Sequence, residues 1–152
     1  MQFTLLGAFM IVRRVTLLGH KDHGKSTLIG NLLISTKSVS EARVEDAKRT
    51  SIRLGRKFEP GFLLDSFEEE REGAMTIDTT RAQIKYRGSA FEFIDVPGHE
   101  ELIKNMISGA SYADSALLIV SAKKGEGITG QTRRHIFLAK MLGIERVVVA
   151  VN

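Results

Sequence analysis

Gly19-His20-Lys21-Asp22-His23-Gly24-Lys25-Ser26-Thr27 is the stretch whose reading decides the fold. It fits the spacing G-x-x-x-x-G-K-[ST] of a phosphate-binding loop, and its flanks are those that such a loop requires. An apolar run, Val15 to Leu18, leads in, and a helical pattern of Leu28, Ile29, Leu32 and Leu33 leads out. Gly19 and Gly24 let the backbone turn sharply, so that successive N–H groups face one anion-sized hollow. Those amides stand at a helix N-terminus, whose partial positive charge adds to the field on a triphosphate. Lys25 supplies a mobile point charge for the β- and γ-phosphates, and the Ser26 hydroxyl is placed to ligate Mg²⁺. The alternative is a glycine turn with a chance lysine. Strand, loop and helix in one register argue against it.

Working outward, Ile11 to Leu18 reads as a buried first strand, and the helix after the loop runs to about Leu33 and ends near Ser35-Thr36-Lys37. From Ser38 to Arg71 the chain becomes charged. Glu-to-Lys/Arg spacings of three and four there predict a solvated helix from about Ser40 to Leu54. Phe58-Glu59-Pro60-Gly61-Phe62 breaks it, and a short helix is expected from about Leu64 to Glu70 with Phe67 inward. Alternation from Thr76 through Thr80, Ala82, Ile84 and Tyr86 marks a strand. Arg87-Gly88-Ser89 signals a hairpin turn, and Phe91, Phe93 and Ile94 mark the antiparallel return strand. After Pro97-Gly98 an amphipathic helix (Leu102, Ile103, Met106, Ile107) runs to about Tyr112. Ala116 to Val120 is a continuous apolar run, as a strand covered on both faces requires. Gln131 to Leu142 reads as a helix on Ile136, Phe137, Ala139 and Met141, and Val147 to Val151 as another buried strand. The order predicts an α/β fold of the P-loop NTPase kind: a mainly parallel sheet with one antiparallel hairpin strand and helices on both faces.

A phosphate loop alone does not separate kinases, ATPases and GTPases. Phe91-Glu92-Phe93-Ile94-Asp95-Val96-Pro97-Gly98-His99 narrows the choice. An aspartate at the carboxyl end of a strand beside the loop can hold Mg²⁺, usually through water. Gly98 lets its own N–H approach the γ-phosphate, which a side chain would obstruct. His99 then lies where it can orient an attacking water. The plainer alternatives are a strand-end turn residue for Asp95 and a helix-start polar residue for His99.

Composition sets the outer bounds. At 152 residues, 43% hydrophobic and 26% charged, the chain describes one ordinary globular domain with a real core. It has no cysteine, which excludes disulfides and thiolate metal sites and fits a reducing, cytoplasmic location. A net charge of +4 is compatible with a phosphate-rich partner, although simple solubility accounts for it equally well. No run reaches the ~18 apolar residues of a membrane helix, so no membrane partner is expected. The opening residues lack the basic segment and cleavage site of a signal peptide. Residues 1–10 are either an added tail or an extension of the first strand.

Together GHKDHGKST (Gly19–Thr27), DVPGH (Asp95–His99) and IKNM (Ile103–Met106) resemble the GTPase domain of translation elongation factors, of the elongation factor 1-alpha type. The similarity extends from about Ile11 to Asn152. QTRRH (Gln131–His135) is also similar to the GTPase subunit of bacterial sulfate adenylyltransferase. The resemblance implies GTP and GDP as substrate and product, with Mg²⁺ as cofactor. It also implies aminoacyl-tRNA, the ribosome and a nucleotide exchange factor as partners. It makes His99 the water-orienting residue, Lys25 and Thr76 its catalytic companions, and Ser26, Thr76 and Asp95 the metal ligands. The nucleotide-binding set becomes Gly19 to Thr27 with Asp95, Gly98 and Asn152, the last as the asparagine that opens the guanine motif N-K-x-D. Ser38 to Met75 becomes a first switch region that reorders on hydrolysis.

Three departures stand out. Lys21 replaces the usual valine beside the catalytic histidine, Gly73-Ala74 replaces Arg-Gly before Thr76, and Glu100 replaces an arginine. They leave nucleotide binding intact and bear on hydrolysis, so a nucleotide-dependent binding module with little turnover is a second reading. The resemblance also implies a GTPase domain cut inside its guanine motif, with Val147–Val151 left as an open sheet edge.

Overall fold

Leu17 and Leu18 are neighbours in sequence but serve opposite faces of one sheet, and the architecture follows from that alternation. The structure, a computed structural model, describes residues 12–20, 22–64, 80–95 and 113–152. Five strands run in the spatial order β2-β3-β1-β4-β5. They are β1 (Val12–Leu18), β2 (Thr80–Tyr86), β3 (Ser89–Asp95), β4 (Ser115–Val120) and β5 (Val147–Val151). All neighbouring pairs are parallel except β2 and β3, which form the expected antiparallel hairpin. Its turn is Arg87 and Gly88, both at positive φ (47° and 76°), the backbone that matches strand twist in a two-residue hairpin. Tyr86 pairs with Ser89 across it.

Among the described residues three helices accompany the sheet: α1 (Lys25–Ser35), α2 (Glu41–Arg53) and α3 (Gly130–Met141). Leu17, Ala82, Ile84 and Ile119 pack with Ile29 and Leu33 of α1 on one face. Leu18, Ile94, Ala116, Leu118 and Val120 pack with Ala139 of α3 and Ile144 on the other. Burying each such valine, leucine or isoleucine contributes about 1.5–3 kcal/mol, and the period-two pattern shares these residues between the two faces. Helices thus lie on both faces, as the sequence predicts. The solvated α2 forms where expected, with Ser40 as its N-cap accepting from the Arg43 amide.

The helix α1 carries Gly30 in mid-course, where a Cβ would collide with the Pro60 carbonyl. Pro60-Gly61 therefore crosses the helix at close range, and a helical turn follows at 62–64 with Leu63 and Leu64 buried. The rest of the helix expected to Glu70, with Phe67, lies outside the described residues, as do the expected start of the strand at Thr76 and the expected helix after Pro97.

Three expectations need correction. The first strand is buried only in its second half, Thr16 to Leu18, while Val12, Arg13 and Arg14 are exposed. The strand β5 is in place, but its buried reading gives way to the open edge that the resemblance implies: four of its five residues are exposed, and Ala150 packs partly on the core. Among the described residues it is the outermost strand, so its apolar character alone does not cover it. Finally, Ile136, Phe137 and Met141 are exposed on α3. The face turned to the sheet is instead Thr132, His135, Leu138, Ala139 and Leu142, at offsets of three, six, seven and ten residues.

Candidate functional site

The parallel strands β1, β3, β4 and β5 end on one edge of the sheet, where an open α/β sheet receives its ligand. From the end of β1 the chain turns through Gly19 to Gly24 and enters α1 at Lys25. Gly19 sits at φ 136°, and a Cβ there would run into the carbonyl oxygen of Ile119 on β4. Asp22 takes a positive φ of 66° and Gly24 one of 88°. The loop is thus wound into the conformation that the two glycines permit. The helix it opens has no side-chain cap at Gly24, whereas α2 and α3 are capped by Ser40 and Thr129. Its first amides are left to the loop and to whatever anion the loop holds.

Lys25 is buried, and its ammonium donates to the carbonyl oxygens of Gly19 (3.2 Å) and His20 (3.0 Å). Burial lowers its pKa, while the carboxylates of Asp95 and Asp22 act in the opposite direction. Asp95 closes β3 in register with Leu17, one residue from the end of β1, and its Oδ1 is buried. Ser26 faces the Pro60-Gly61 crossing, where a Cβ on Gly61 would stand 3.3 Å from Ser26 Cβ. Thr27 is exposed on the first turn of α1. His23 is buried under the loop with Nδ1 3.3 Å from the Ile119 carbonyl oxygen, and its ring lies 5.2 Å from that of His20.

Asn152 reaches the same place from the end of β5. Its side-chain amide donates to the His23 carbonyl oxygen at 3.1 Å and fills the space where a Gly24 Cβ would stand. Its backbone N–H donates to Val120 O at the end of β4 (2.9 Å), and its carbonyl accepts from the Ala122 amide just beyond that strand (2.7 Å). Of the residues singled out in the sequence, Gly19, His20, Asp22, His23, Gly24, Lys25, Ser26, Thr27, Asp95 and Asn152 therefore gather at one edge of the sheet. Lys21, Thr76, Gly98 and His99 lie outside the described residues.

Two participants escape sequence reasoning. Gly30 admits the Pro60 carbonyl against α1. His135 on α3 accepts the Gly19 N–H on Nδ1 at 3.2 Å, across 116 residues of chain. The run QTRRH (Gln131–His135) contains it, but that resemblance assigns the histidine no role, and its place three residues after Thr132 shows only that it shares the sheet-facing side of the helix.

Comparison with known proteins agrees with this geometry. The family described as "Elongation factor Tu GTP binding domain" matches residues 10–152. The chain belongs to that family. Elongation factor 1-alpha of Saccharolobus solfataricus is 48% identical over 141 residues, covering 89% of this chain and 32% of the relative. That of Thermoplasma volcanium is 43% identical over 136 residues, with the same coverage. Among solved structures, the bacterial selenocysteine-specific elongation factor EF-Sec superposes with a TM-score of 0.62 at 31% identity, over 93% of this chain and 20% of that one. Sup35 complexed with GDP gives 0.57 at 28% identity, over 100% and 29%. The chain spans about a third of the length of the curated elongation factors it matches.

In this GTP-binding domain the oxygen donors suit a hard divalent cation. The Ser26 hydroxyl begins α1 and the Asp95 carboxylate ends β3, and Mg²⁺ takes such ligands together with waters and phosphate oxygens.

Proposed function

We propose that the chain is the GTP-binding and GTP-hydrolysing switch domain of an elongation factor of the 1-alpha type. In the full-length parent it would deliver aminoacyl-tRNA to the ribosome in the cytoplasm and be reset by an exchange factor. The observation that carries the reading is the convergence on one uncapped helix end of Lys25, Ser26 and Asp95, with Asn152 bonded to the loop itself. Membership of the GTP-binding family supports it. Among the described residues no helix is long and apolar enough to cross a membrane.

The reaction is attack of a water oxygen on the γ-phosphorus of GTP, with cleavage of the bond to the bridging oxygen, giving GDP and phosphate. Lys25 and the loop amides take the phosphate charge as it shifts toward the leaving group. Ser26, Thr76 and Asp95 would hold Mg²⁺, which when bound neutralises charge on the β- and γ-oxygens. Gly98 offers its amide to the γ-phosphate, and His99 orients the water. These roles are mostly positioning, so they depend on the rigidity of the strand ends.

Titration calorimetry tests the binding step. The parent should bind GTP and GDP in a Mg²⁺-dependent way, and Lys25→Ala should lose about 1.5–3 kcal/mol, the scale of a hydrogen bond to a charged group. Unchanged affinity would remove the loop from the site. Single-turnover hydrolysis in the presence of ribosomes tests the chemistry. His99→Ala should slow it roughly 10²–10⁴-fold at nearly constant affinity. A parent that binds GTP and does not hydrolyse it would instead be a nucleotide-dependent binding module, the reading that Lys21 and Ala74 motivate. The sulfate adenylyltransferase alternative is not favoured, since the relatives above are elongation factors.

A further inference from the structure

The proposed reaction leaves His135 without a task, yet this ring is bonded to the phosphate loop. His135 stands on the sheet-facing side of α3, and its Nδ1 lies 3.2 Å from the Gly19 amide nitrogen. A backbone N–H only donates, so Nδ1 is the unprotonated nitrogen and the ring's single proton is on Nε2. The surroundings hold it in that state. Burial first, then the charges of Lys25, His20 and Arg134, push its pKa down to about 4. The opposite end of the same residue is held as well: the Gly19 carbonyl accepts from Lys25 Nζ at 3.2 Å. Gly19 is thereby gripped through both of its backbone polar groups. It sits at φ 136°, where the Ile119 carbonyl leaves no room for a side chain, so local sterics alone do little to fix its peptide planes.

We propose that His135 is a positioning residue for the phosphate loop. By accepting the Gly19 N–H it sets the peptide planes at the mouth of the loop. Through the Gly19 carbonyl it also sets where Lys25 rests, and with that the affinity for a nucleoside di- or triphosphate. A ring that merely filled space would be replaceable by any side chain of similar size. One that works through Nδ1 is replaceable only by another acceptor at that point. The inference rests on the nucleotide-binding reading of the loop and adds α3 to it.

The test is a pair of variants read with a fluorescent GDP analogue in the presence of Mg²⁺, with thermal midpoints measured alongside. His135→Leu keeps the apolar bulk and removes the acceptor. His135→Asn keeps an acceptor, Oδ1, close to where Nδ1 stood. His135→Leu should bind about tenfold more weakly, the scale of one net hydrogen bond, and His135→Asn should stay within about threefold of the parent. Leu and Asn variants of equal affinity, whatever its value, would overturn the proposal. So would a loss in His135→Leu that is matched by the same loss in His135→Asn and a common fall in thermal midpoint. A parent that binds no nucleotide would instead refute the function proposed above. The positioning claim then has its own readout in ¹⁵N spectra of the free protein. The Gly19 amide resonance should move in His135→Leu and stay near its parent position in His135→Asn, and His135 Nδ1 should show the shift of an unprotonated nitrogen. A protonated Nδ1 overturns the claim.

Discussion

The strands β1 and β5 read alike as apolar runs and end at the same site, yet they live in different surroundings. Thr16-Leu17-Leu18 lies at the centre of the sheet between β3 and β4 and is buried throughout. Val147-Val148-Val149-Ala150-Val151 is the more apolar run, and Val148 is 62% and Val151 72% exposed. What differs is the neighbours. A central strand has a paired strand on each side and a helix over each face; among the described residues β5 has one paired strand, β4, and a single residue partly on the core. Burial is a property of position in the topology, and hydrophobicity only makes a residue fit for it. Even so, both strands end on the phosphate loop, β1 by running into it and β5 through the Asn152 side chain.

The largest expected effect sharpens this contrast in stability. Ile119 on β4 is fully buried, and its backbone carbonyl faces Gly19 and His23. Ile119→Ala should cost about 2–5 kcal/mol, the usual range for truncating a buried aliphatic side chain. Val148→Ala, on the exposed strand, should stay within about 0.5 kcal/mol. Urea denaturation of both variants gives the comparison directly, and equal losses would mean that β5 is covered in solution.

An intermediate effect concerns the end of β5. Asn152→Ala removes the 3.1 Å bond to the His23 carbonyl, and one net hydrogen bond amounts to about 0.5–1.5 kcal/mol. Because the amide also fills the space beside Gly24, the loss should appear in nucleotide affinity as well as in the urea midpoint. A variant with parent affinity and a lower midpoint would make Asn152 a tie for the strand alone.

Much of this was legible from sequence, for reasons that differ from residue to residue. Gly19, Gly24, Lys25 and Ser26 could be placed because backbone winding and phosphate chemistry demand those residue types at that spacing. The β2–β3 hairpin could be placed because Gly88 lies in a short turn between two alternating runs, and the structure holds both Arg87 and Gly88 at positive φ. Exposure of Ile136, Phe137 and Met141 was hidden, whereas that of β5 follows the open sheet edge that the resemblance implies. Periodicity names the element and, for α3, its apolar residues, but not which face meets the sheet. There Thr132 and Ala139 are buried while Phe137 and Met141 are exposed. The bond from Gly19 to His135 was hidden more deeply, since nothing local in either segment refers to the other. Asp95 could be placed because a strand-end carboxylate beside a phosphate loop shares its edge of the sheet, whereas Asn152 came only from the resemblance to the guanine motif.

The smallest effect is in the pH dependence, and it separates the two sides of the loop again, the α3 side from the β5 side. His135 has its pKa lowered to about 4 from an ordinary 6.5, first by burial and then by Lys25, His20 and Arg134. An unfolded histidine takes up its proton below 6.5, whereas the folded ring resists until about 4. In that window the unfolded chain holds more protons, so acidification erodes stability; above it His135 contributes no slope. The ring is only half-buried, so solvent screening reduces the expected loss to about 1 kcal/mol. Carboxylates titrate over part of the same range, and His135→Asn isolates the histidine by keeping an acceptor without a titrating ring. The urea midpoint of the parent should therefore fall more steeply with acid than that of His135→Asn, and the two should run parallel above the window. Asn152→Ala, on the β5 side, should keep the parent's slope at a lower level, since it removes no titrating group. Parallel curves for the parent and His135→Asn throughout would mean that the ring takes its proton in the folded state without penalty. That result is incompatible with Nδ1 held as the acceptor for Gly19.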